Sequence, residues 1–251
     1  YIKRISLDNF ANIRKNGIIA IGLDDDDDLN WVKQAEDKDE IIIGTSRGMA
    51  IRFGINDLRP LGRSARGVNS MKLRTGDMII GCDIVPRDKD GDLLLITNDG
   101  FGKRTKISEF RPQNRGGIGL ICTKFKNEQS RLTALTIVDD TNDIMLVTAN
   151  GVVSRQKAAN ISRQGRPATG VRVQNLVDGD TIVVVNKIIN PEEDELPEVK
   201  SDASSAPLPT QEEDTKAIQQ MLDVEFVQDF ADKLIEENEN SDNGETADDE
   251  E

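Results

Sequence analysis

The sequence predicts an all-β protein made of propeller-like, four-stranded blades of about 50 residues, followed by an acidic tail with one amphipathic helix. Three observations carry that expectation. First, "EIIIGTSRGMAIRF" (40–53), "GDLLLITNDGFGKRT" (91–105) and "NDIMLVTANGVVSRQ" (142–156) share one frame: an acidic start, an apolar run, Thr-x-x-Gly, then a second run. Thr45, Thr97 and Thr148 are spaced by 52 and 51 residues, and Gly48, Gly100 and Gly151 keep that spacing. Second, "GRSARGV" (62–68), "NRGGIGL" (114–120) and "GRPATGV" (165–171) place Gly67, Gly119 and Gly170 each 15 residues after Arg52, Arg104 and Arg155. Third, the pattern stops after Asn190, where a Pro-, Ser- and acid-rich stretch begins.

Each Thr-x-x-Gly segment reads as a hairpin whose glycine supplies positive φ in the turn. A loop, a strand, a turn such as "RTGD" (74–77) or "VDGD" (177–180), and an apolar run such as "MIIGCDIV" (78–85) or "TIVVVNKI" (181–188) complete the unit. Blades are therefore expected at about 39–89, 90–140 and 141–190, within a partial propeller over 1–190. Residues 1–38 read as an incomplete blade lacking its first strand, because "YIKR" matches the second hairpin strand and Gly17 falls 13 residues after Arg4. The chain begins at Tyr1 inside a strand-like pattern and reads as a fragment. Repeated four-stranded units need their neighbours to bury their faces. Common propeller signatures are missing, since there is no histidine and only one tryptophan, Trp31.

Beyond Asn190 the expectation is an acidic Pro/Ser-rich linker (191–209), an amphipathic helix (210–237) and a disordered acidic tail (238–251). The helix rests on Ile218, Met221, Leu222, Phe226, Phe230, Leu234 and Ile235, which recur at steps of three and four residues. It would fold back on the propeller or dock to a partner.

Charge is divided along the chain. Residues 1–190 carry 29 Lys and Arg against 24 Asp and Glu, a net of +5; residues 191–251 carry 3 against 22, a net of −19. A tail so charged, tethered to a basic body, would compete with any polyanion that the body binds. Cys82 and Cys122 stand alone in apolar runs, so they read as buried thiols rather than a disulfide or zinc site. Without histidine there is no Ser-His or Cys-His pair and no imidazole metal ligand. "GFGKR" (100–104) lacks the frame of a phosphate-cradling P-loop, and the run Asp24 to Asp28 lacks the alternation of an EF-hand, so it reads as a solvated turn. No metal, cofactor or catalytic site is expected in this chain. No signal peptide or long apolar run appears, which points to a soluble, cytoplasmic protein without a membrane partner.

Basic residues recur in the repeat frame. Arg4, Arg52, Arg104 and Arg155 form one column; Arg63, Arg115 and Arg166 form another, each four residues before the loop glycine. Columns repeated on successive blades would place charge along one edge, and a periodic positive stripe suits a polymer of periodic negative charge. The loop glycines would let arginine and backbone N–H groups approach phosphate oxygens. Aromatic content of 4% argues against a base-stacking platform. The partner expected is duplex DNA gripped by its backbone without base reading.

These residues resemble a known family, the C-terminal domain of the A subunit of DNA gyrase. Similar to it are "YIKRISLDNFANIRKNGIIAIGL" (1–23), "MAIRFGINDLRPLGRSARGV" (49–68), "GFGKRTKISEFRPQNRGGIG" (100–119) and "GVVSRQKAANISRQGRPATGV" (151–171). The resemblance implies a β-pinwheel, a propeller variant whose blades exchange strands and around whose basic perimeter duplex DNA bends. It implies partners in the rest of the gyrase A subunit, together with the B subunit, in a heterotetramer that introduces negative supercoils with ATP and Mg2+ used elsewhere, and a bacterial nucleoid setting. The fragment itself would not be an enzyme, since the family's catalytic tyrosine lies upstream. The cations that this reading places against DNA are Arg4, Arg14, Lys15, Arg52, Arg63, Arg66, Lys103, Arg104, Arg111, Arg115, Arg155, Arg163 and Arg166. "QNRGGIG" resembles a degenerate copy of the family's box motif, keeping Gln113, Arg115, Gly116, Gly117 and Gly119, with Asn114 and Ile118 in place of two basic residues. The related C-terminal domain of topoisomerase IV, or a protein-binding propeller, stands as the alternative.

Overall fold

The apolar runs of the first two complete repeats are buried on both faces and that of the last on one face, which fixes how the sheets stack. In the computed structural model, which describes residues 1–188 apart from Arg14, Asp26 and residues 88–90, nearly all regular structure is antiparallel β. The chain divides into two units, Tyr1–Glu195 and Leu196–Glu251, and the described residues belong to the first. The expected linker, amphipathic helix and acidic tail lie outside the described residues.

Strand β1 (Glu40–Thr45) and β2 (Met49–Gly54) form the first hairpin, with β3 (Ile79–Val85) on the far side of β1. Strands β4 (Asp92–Thr97), β5 (Phe101–Lys106) and β7 (Leu132–Val138) repeat that arrangement, as do β8 (Asp143–Thr148), β9 (Val153–Lys157) and β11 (Ile182–Ile188). The hairpin turns use the predicted chemistry. Gly48, Gly100 and Gly151 have φ near +80° and donate N–H to the carbonyls of Thr45, Thr97 and Thr148 at 3.0, 3.1 and 3.0 Å. Each threonine hydroxyl also accepts a backbone N–H four residues on, from Met49, Phe101 and Val152.

The fourth strand of a sheet comes from the next repeat. Short β6 (Leu120–Ile121) pairs with β2, and β10 (Val171–Arg172) pairs with β5. The sheets therefore run β3-β1-β2-β6 and β10-β5-β4-β7, while β11-β8-β9 has three strands among the described residues. The same exchange occurs in reduced form at the start, where Ile2 and Val68 trade backbone hydrogen bonds of 2.9 and 2.8 Å. The blades exchange strands, as a β-pinwheel requires. Residues 1–38, expected as an incomplete blade, hold no regular strand among the described residues, only bridges from Ile2 and Arg4 and a 3-10 helix over Leu7–Phe10. A strand persists when a neighbour satisfies its ladder, and this segment has no hairpin partner of the kind that β1 gives β2.

The exchange explains the loop glycines. A Cβ on Gly67, Gly119 or Gly170 would lie 2.6, 2.5 or 2.4 Å from the carbonyl oxygen of Ile2, Ala50 or Gly102 in the preceding hairpin. All three also have positive φ, at +112°, +77° and +97°. The sequence reading gave these glycines to a phosphate; in the structure they admit a neighbouring backbone.

Alternation along β1 and β4 then builds the core. Leu93 and Leu95 face Ile42, Ala50 and Leu135, whereas Leu94 and Ile96 face Ile144, Leu146 and Ile182 of the following sheet. Ile41, Ile43, Ile51 and Phe53 bury the opposite face of the first sheet with Ile2 and Val68. Stacked sheets buried on both sides read as continuous apolar runs, which is how "LLLIT" and "IIIGT" arise.

Gly170→Ala should destabilise the full chain by about 3 kcal/mol, combining positive-φ strain with overlap on the Gly102 carbonyl. Gly179→Ala, at φ +83° with open space around the added carbon, should cost only about 1 kcal/mol. Urea unfolding of the two variants checks this, and equal losses would show that the exchanged strand tolerates a side chain.

Candidate nucleic-acid interface

The first arginine column is turned into the protein. In each hairpin the arginine sits diagonally across from the acidic residue that opens the unit, so the two side chains meet over the pleat. Arg52 Nε bonds Glu40 at 2.6 Å and its Nη1 donates to the carbonyls of Ile107 and Phe110 at 3.0 and 3.2 Å, around the next repeat's 3-10 helix (Ile107–Glu109). Arg104, only 4% exposed, pairs with Asp92 and Asp140 and donates to Ala159 and Ile161 around the 3-10 helix Ala158–Asn160. Arg4 pairs with Asp37 and reaches Asn56 in the 3-10 helix Ile55–Asp57. Arg155 pairs with Asp143 at 2.6 Å and is more exposed. Sequence reasoning put this column on a DNA-facing edge. In the structure Arg4, Arg52 and Arg104 staple each hairpin to the following unit, because a buried guanidinium must be matched by a carboxylate and carbonyls.

The second column behaves differently. Arg63, Arg115 and Arg166 each use one Nη1 to reach a main-chain carbonyl in the preceding loop: Ile19 at 3.3 Å, Asn69 at 3.2 Å and Ile121 at 3.2 Å. Each acceptor lies two residues past that loop's glycine, at Gly17, Gly67 or Gly119, so the three contacts are one contact repeated. None of these guanidinium groups pairs with a described carboxylate, and Arg115 is exposed. The result is a chain of loops, each pinned to the one before by an arginine whose remaining N–H groups are free for an anion.

Other expected contacts scatter. Arg163 joins the Asp92 and Asp140 cluster, where the hydrogen bond from Arg104 holds the Asp140 carboxyl below its usual range. Arg66 lies over the Tyr1 ring at 4.0 Å and pairs with Asp24, which occupies a surface turn as expected of the acidic run. Lys103 is 1% exposed and donates to the carbonyls of Gly165 and Arg166 at 2.7 and 2.6 Å, so it too faces inward. Lys15 is exposed, and Arg14 lies outside the described residues. Arg111, exposed, lines a shallow open recess with Pro112, Gln113, Asn114 and Asp57. In the box-like loop, Gln113 N donates to Arg52 O at 2.8 Å and Gly116 N to Ser70 O at 2.7 Å, while Gly117 O accepts from Lys72 N and Ile118 is exposed.

Two edge cations escaped sequence reasoning. Lys72 and Lys124, five residues past Gly67 and Gly119, are exposed, and their backbone N–H groups bond Gly117 O and Ala168 O of the following loop at 2.9 and 3.3 Å. Extending the glycine frame by five residues would have found them. Among the described residues no cluster of His, Cys, Asp and Glu suits a metal ion, and no helix is long and apolar enough to cross a membrane.

The DNA gyrase C-terminal domain, beta-propeller family matches this chain over residues 1–36, 39–86, 91–139 and 142–188. The chain belongs to that family. It is 40% identical to the A subunit of DNA gyrase from Synechocystis sp. over 82% of its length, and 41% identical to that of Staphylococcus epidermidis over 77%. These alignments take in 28% and 22% of the relatives, so the chain spans about a quarter of the length of the curated proteins it matches. Among solved structures it is similar to a DNA gyrase A C-terminal domain, with a TM-score of 0.62 at 29% identity over 70% of this chain and 59% of that one. It is similar in fold to the C-terminal domain of a DNA topoisomerase IV, with a TM-score of 0.69 at 24% identity over 74% and 58%.

The arginines of this chain thus divide between scaffold and edge. Arg104→Ala should cost about 3 kcal/mol, since it strips Asp92 of a buried partner and leaves two carbonyls uncapped; Arg115→Ala should stay within about 0.5 kcal/mol. Thermal unfolding of both variants distinguishes these roles.

Lys103 adds a pH signature. Burial pushes its ammonium down to about 8 from an ordinary value of 10.5. Between those values the unfolded chain holds a proton that the folded chain has released, so this side chain makes stability rise with pH through that window. The wild-type stability should therefore gain on that of Lys103→Met from about pH 8 to 10, as read from urea midpoints.

Proposed function

We propose that this chain is the DNA-binding C-terminal part of a DNA gyrase A subunit, and that it bends duplex DNA around the loop edge carrying Arg63, Arg115 and Arg166. The observation that carries this reading is the repeated, carboxylate-free guanidinium on successive pinned loops. Lys72 and Lys124 extend the same edge. A duplex offers phosphates at regular intervals, and a rigid row of cations that makes no base contact grips them whatever the sequence. Neither a recognition helix nor a row of stacking aromatics competes with that reading among the described residues.

In the whole enzyme the bent duplex would be presented to a second DNA segment crossing it, so that strand passage introduces negative supercoils. The strand-breaking tyrosine, ATP hydrolysis and Mg2+ belong, on this reading, to the rest of the A subunit, together with the B subunit, in a heterotetramer in the bacterial cytoplasm and nucleoid. The work of the present residues is to hold and curve the duplex, not to break it.

Binding of the full 251-residue chain to random-sequence duplexes, measured against salt, tests the proposal. Contact with about six phosphates gives a log–log slope near −5, and Arg115→Ala should lower its magnitude by about one while weakening all sequences alike. The expected competition of the acidic tail is included in that affinity, and it too weakens as salt rises. Salt-independent affinity, a strong preference for one sequence, or affinity for an acidic protein in place of DNA would overturn the reading.

A further inference from the structure

Two of the three loops on the edge are gripped through their carbonyls by a lysine, buried in one case and partly exposed in the other, and the third is not. Lys103 donates to Gly165 O and Arg166 O, at 2.7 and 2.6 Å, and is buried beneath the loop that carries Arg166. Lys3 stands one place before Arg4, as Lys103 does before Arg104, and its ammonium reaches the carbonyls of Gly62, Arg63 and Ala65 in the loop that carries Arg63. The equivalent place in the middle repeat holds Ile51, fully buried. Its Cδ1 lies 3.5 Å from where a Cβ on Gly117 would sit, so apolar contact replaces the ammonium under the loop that carries Arg115.

The difference matters chemically. An ammonium that spans several carbonyls fixes the direction of the main chain on either side of the loop arginine, and a charge-assisted hydrogen bond is roughly twice as strong as a neutral one. A methyl group imposes no such direction. Carbonyls turned inward also keep negative partial charge away from an incoming phosphate, so the same contact orients the arginine and clears its approach.

We propose that Lys103 and Lys3 are positioning residues, clamps that hold the Gly165–Gly170 and Gly62–Gly67 loops so that Arg166 and Arg63 face a phosphate, while the Asn114–Gly119 loop, set on Ile51, is held instead by main-chain bonds from Gly116 N to Ser70 O and from Lys72 N to Gly117 O. The clamp itself is a statement about the loops; its effect on binding rests on the duplex reading above. Lys103 touches no DNA in this scheme. It acts through Arg166.

Hydrogen exchange of the full chain, followed at the turn amides of Ala65 and Ala168, which donate to Gly62 O and Gly165 O at 3.2 and 3.1 Å, reads the clamp without DNA. Lys103→Met should speed exchange at Ala168 on the order of tenfold and leave Ala65 unchanged, and Lys3→Met should do the reverse. Binding to a random-sequence duplex then reads its consequence. Lys103→Met should weaken binding several-fold in the wild type and in Arg115→Ala, and should have no further effect in Arg166→Ala, because the clamp acts only through that arginine. The salt slope should fall by about one for Arg166→Ala and by clearly less for Lys103→Met. A full unit of slope lost with Lys103→Met and unchanged loop exchange would make Lys103 a direct phosphate contact and overturn the proposal. So would unchanged Ala65 exchange in Lys3→Met, a test that stands even if Lys103→Met does not fold. Should Arg166→Ala and Arg115→Ala both leave DNA affinity unchanged, the duplex reading fails, while the exchange result still decides the clamp.

Discussion

The structure depends on one close approach, the crossing of each loop backbone over the hairpin of the repeat before it. At Gly67, Gly119 and Gly170 the chain comes so near a neighbouring carbonyl that even a methyl group is excluded, and there the next repeat supplies a strand to the previous sheet after Gly119 and Gly170, and the Ile2–Val68 bridge after Gly67. A sheet that gains its last strand from the following repeat leaves no unit independent, since an unfilled edge is a row of unsatisfied N–H and C=O groups. Adjacent repeats are thus tied by backbone hydrogen bonds as well as by the apolar faces stacked between them. The loops inherit their spacing from that tie: each begins where a main-chain N–H bonds the carbonyl of Arg4, Arg52 or Arg104, from Leu61, Gln113 and Gln164 at 2.9, 2.8 and 2.8 Å.

The same arginine side chain does opposite work in the two columns because its surroundings differ. In the hairpin, a carboxylate 12 residues upstream lies diagonally across the pleat, and the carbonyls of a 3-10 helix close the other side, so the charge is matched inside the protein. In the loop no carboxylate pairs with the guanidinium, even where Glu109 accepts the main-chain N–H of Arg166, and one main-chain carbonyl takes a single N–H while the others stay available. Pairing with Asp or Glu makes an arginine a staple; leaving it with a carbonyl alone keeps its charge for the outside.

Much of this was legible in the sequence, and the residues show where legibility ended. The Thr-x-x-Gly period gave the hairpins because threonine and glycine act within four residues of each other, a local effect that sequence spacing captures. The strand exchange entered only through family resemblance, since nothing local says that Leu120 pairs with Ala50 rather than with its own repeat. The direction of Arg52 and Arg104 was misjudged for a related reason: the column was counted without its partner column, Glu40, Asp92 and Asp143, although the acidic start of each unit was in plain view. Lys103 was placed among the DNA-facing cations, although it is buried in the structure. The carbonyls that satisfy it come from a loop more than 60 residues away. Residues 1–38 read as an incomplete blade with "YIKR" as its second hairpin strand, and in the structure that stretch makes only the bridges from Ile2 and Arg4.

Net charge is a poor guide to what this edge attracts. The whole chain carries −14 and residues 1–190 only +5, values that look too weak for a protein read as holding a polyanion. Screening changes the question, since at physiological salt a charge is felt over about 8 Å, so a phosphate responds to the loops beside it and not to the total. Inside the fold, Glu40, Asp92 and Asp143 are spent on Arg52, Arg104 and Arg155, which removes both signs from the surface together. What remains at the loop edge is Arg63, Arg115 and Arg166 beside Lys72 and Lys124, without a described carboxylate among their ion-pair partners. Internal pairing removes both signs equally, so the basic excess of residues 1–190 is left to the unpaired loop arginines and lysines, while the acidity of the chain lies in residues 191–251.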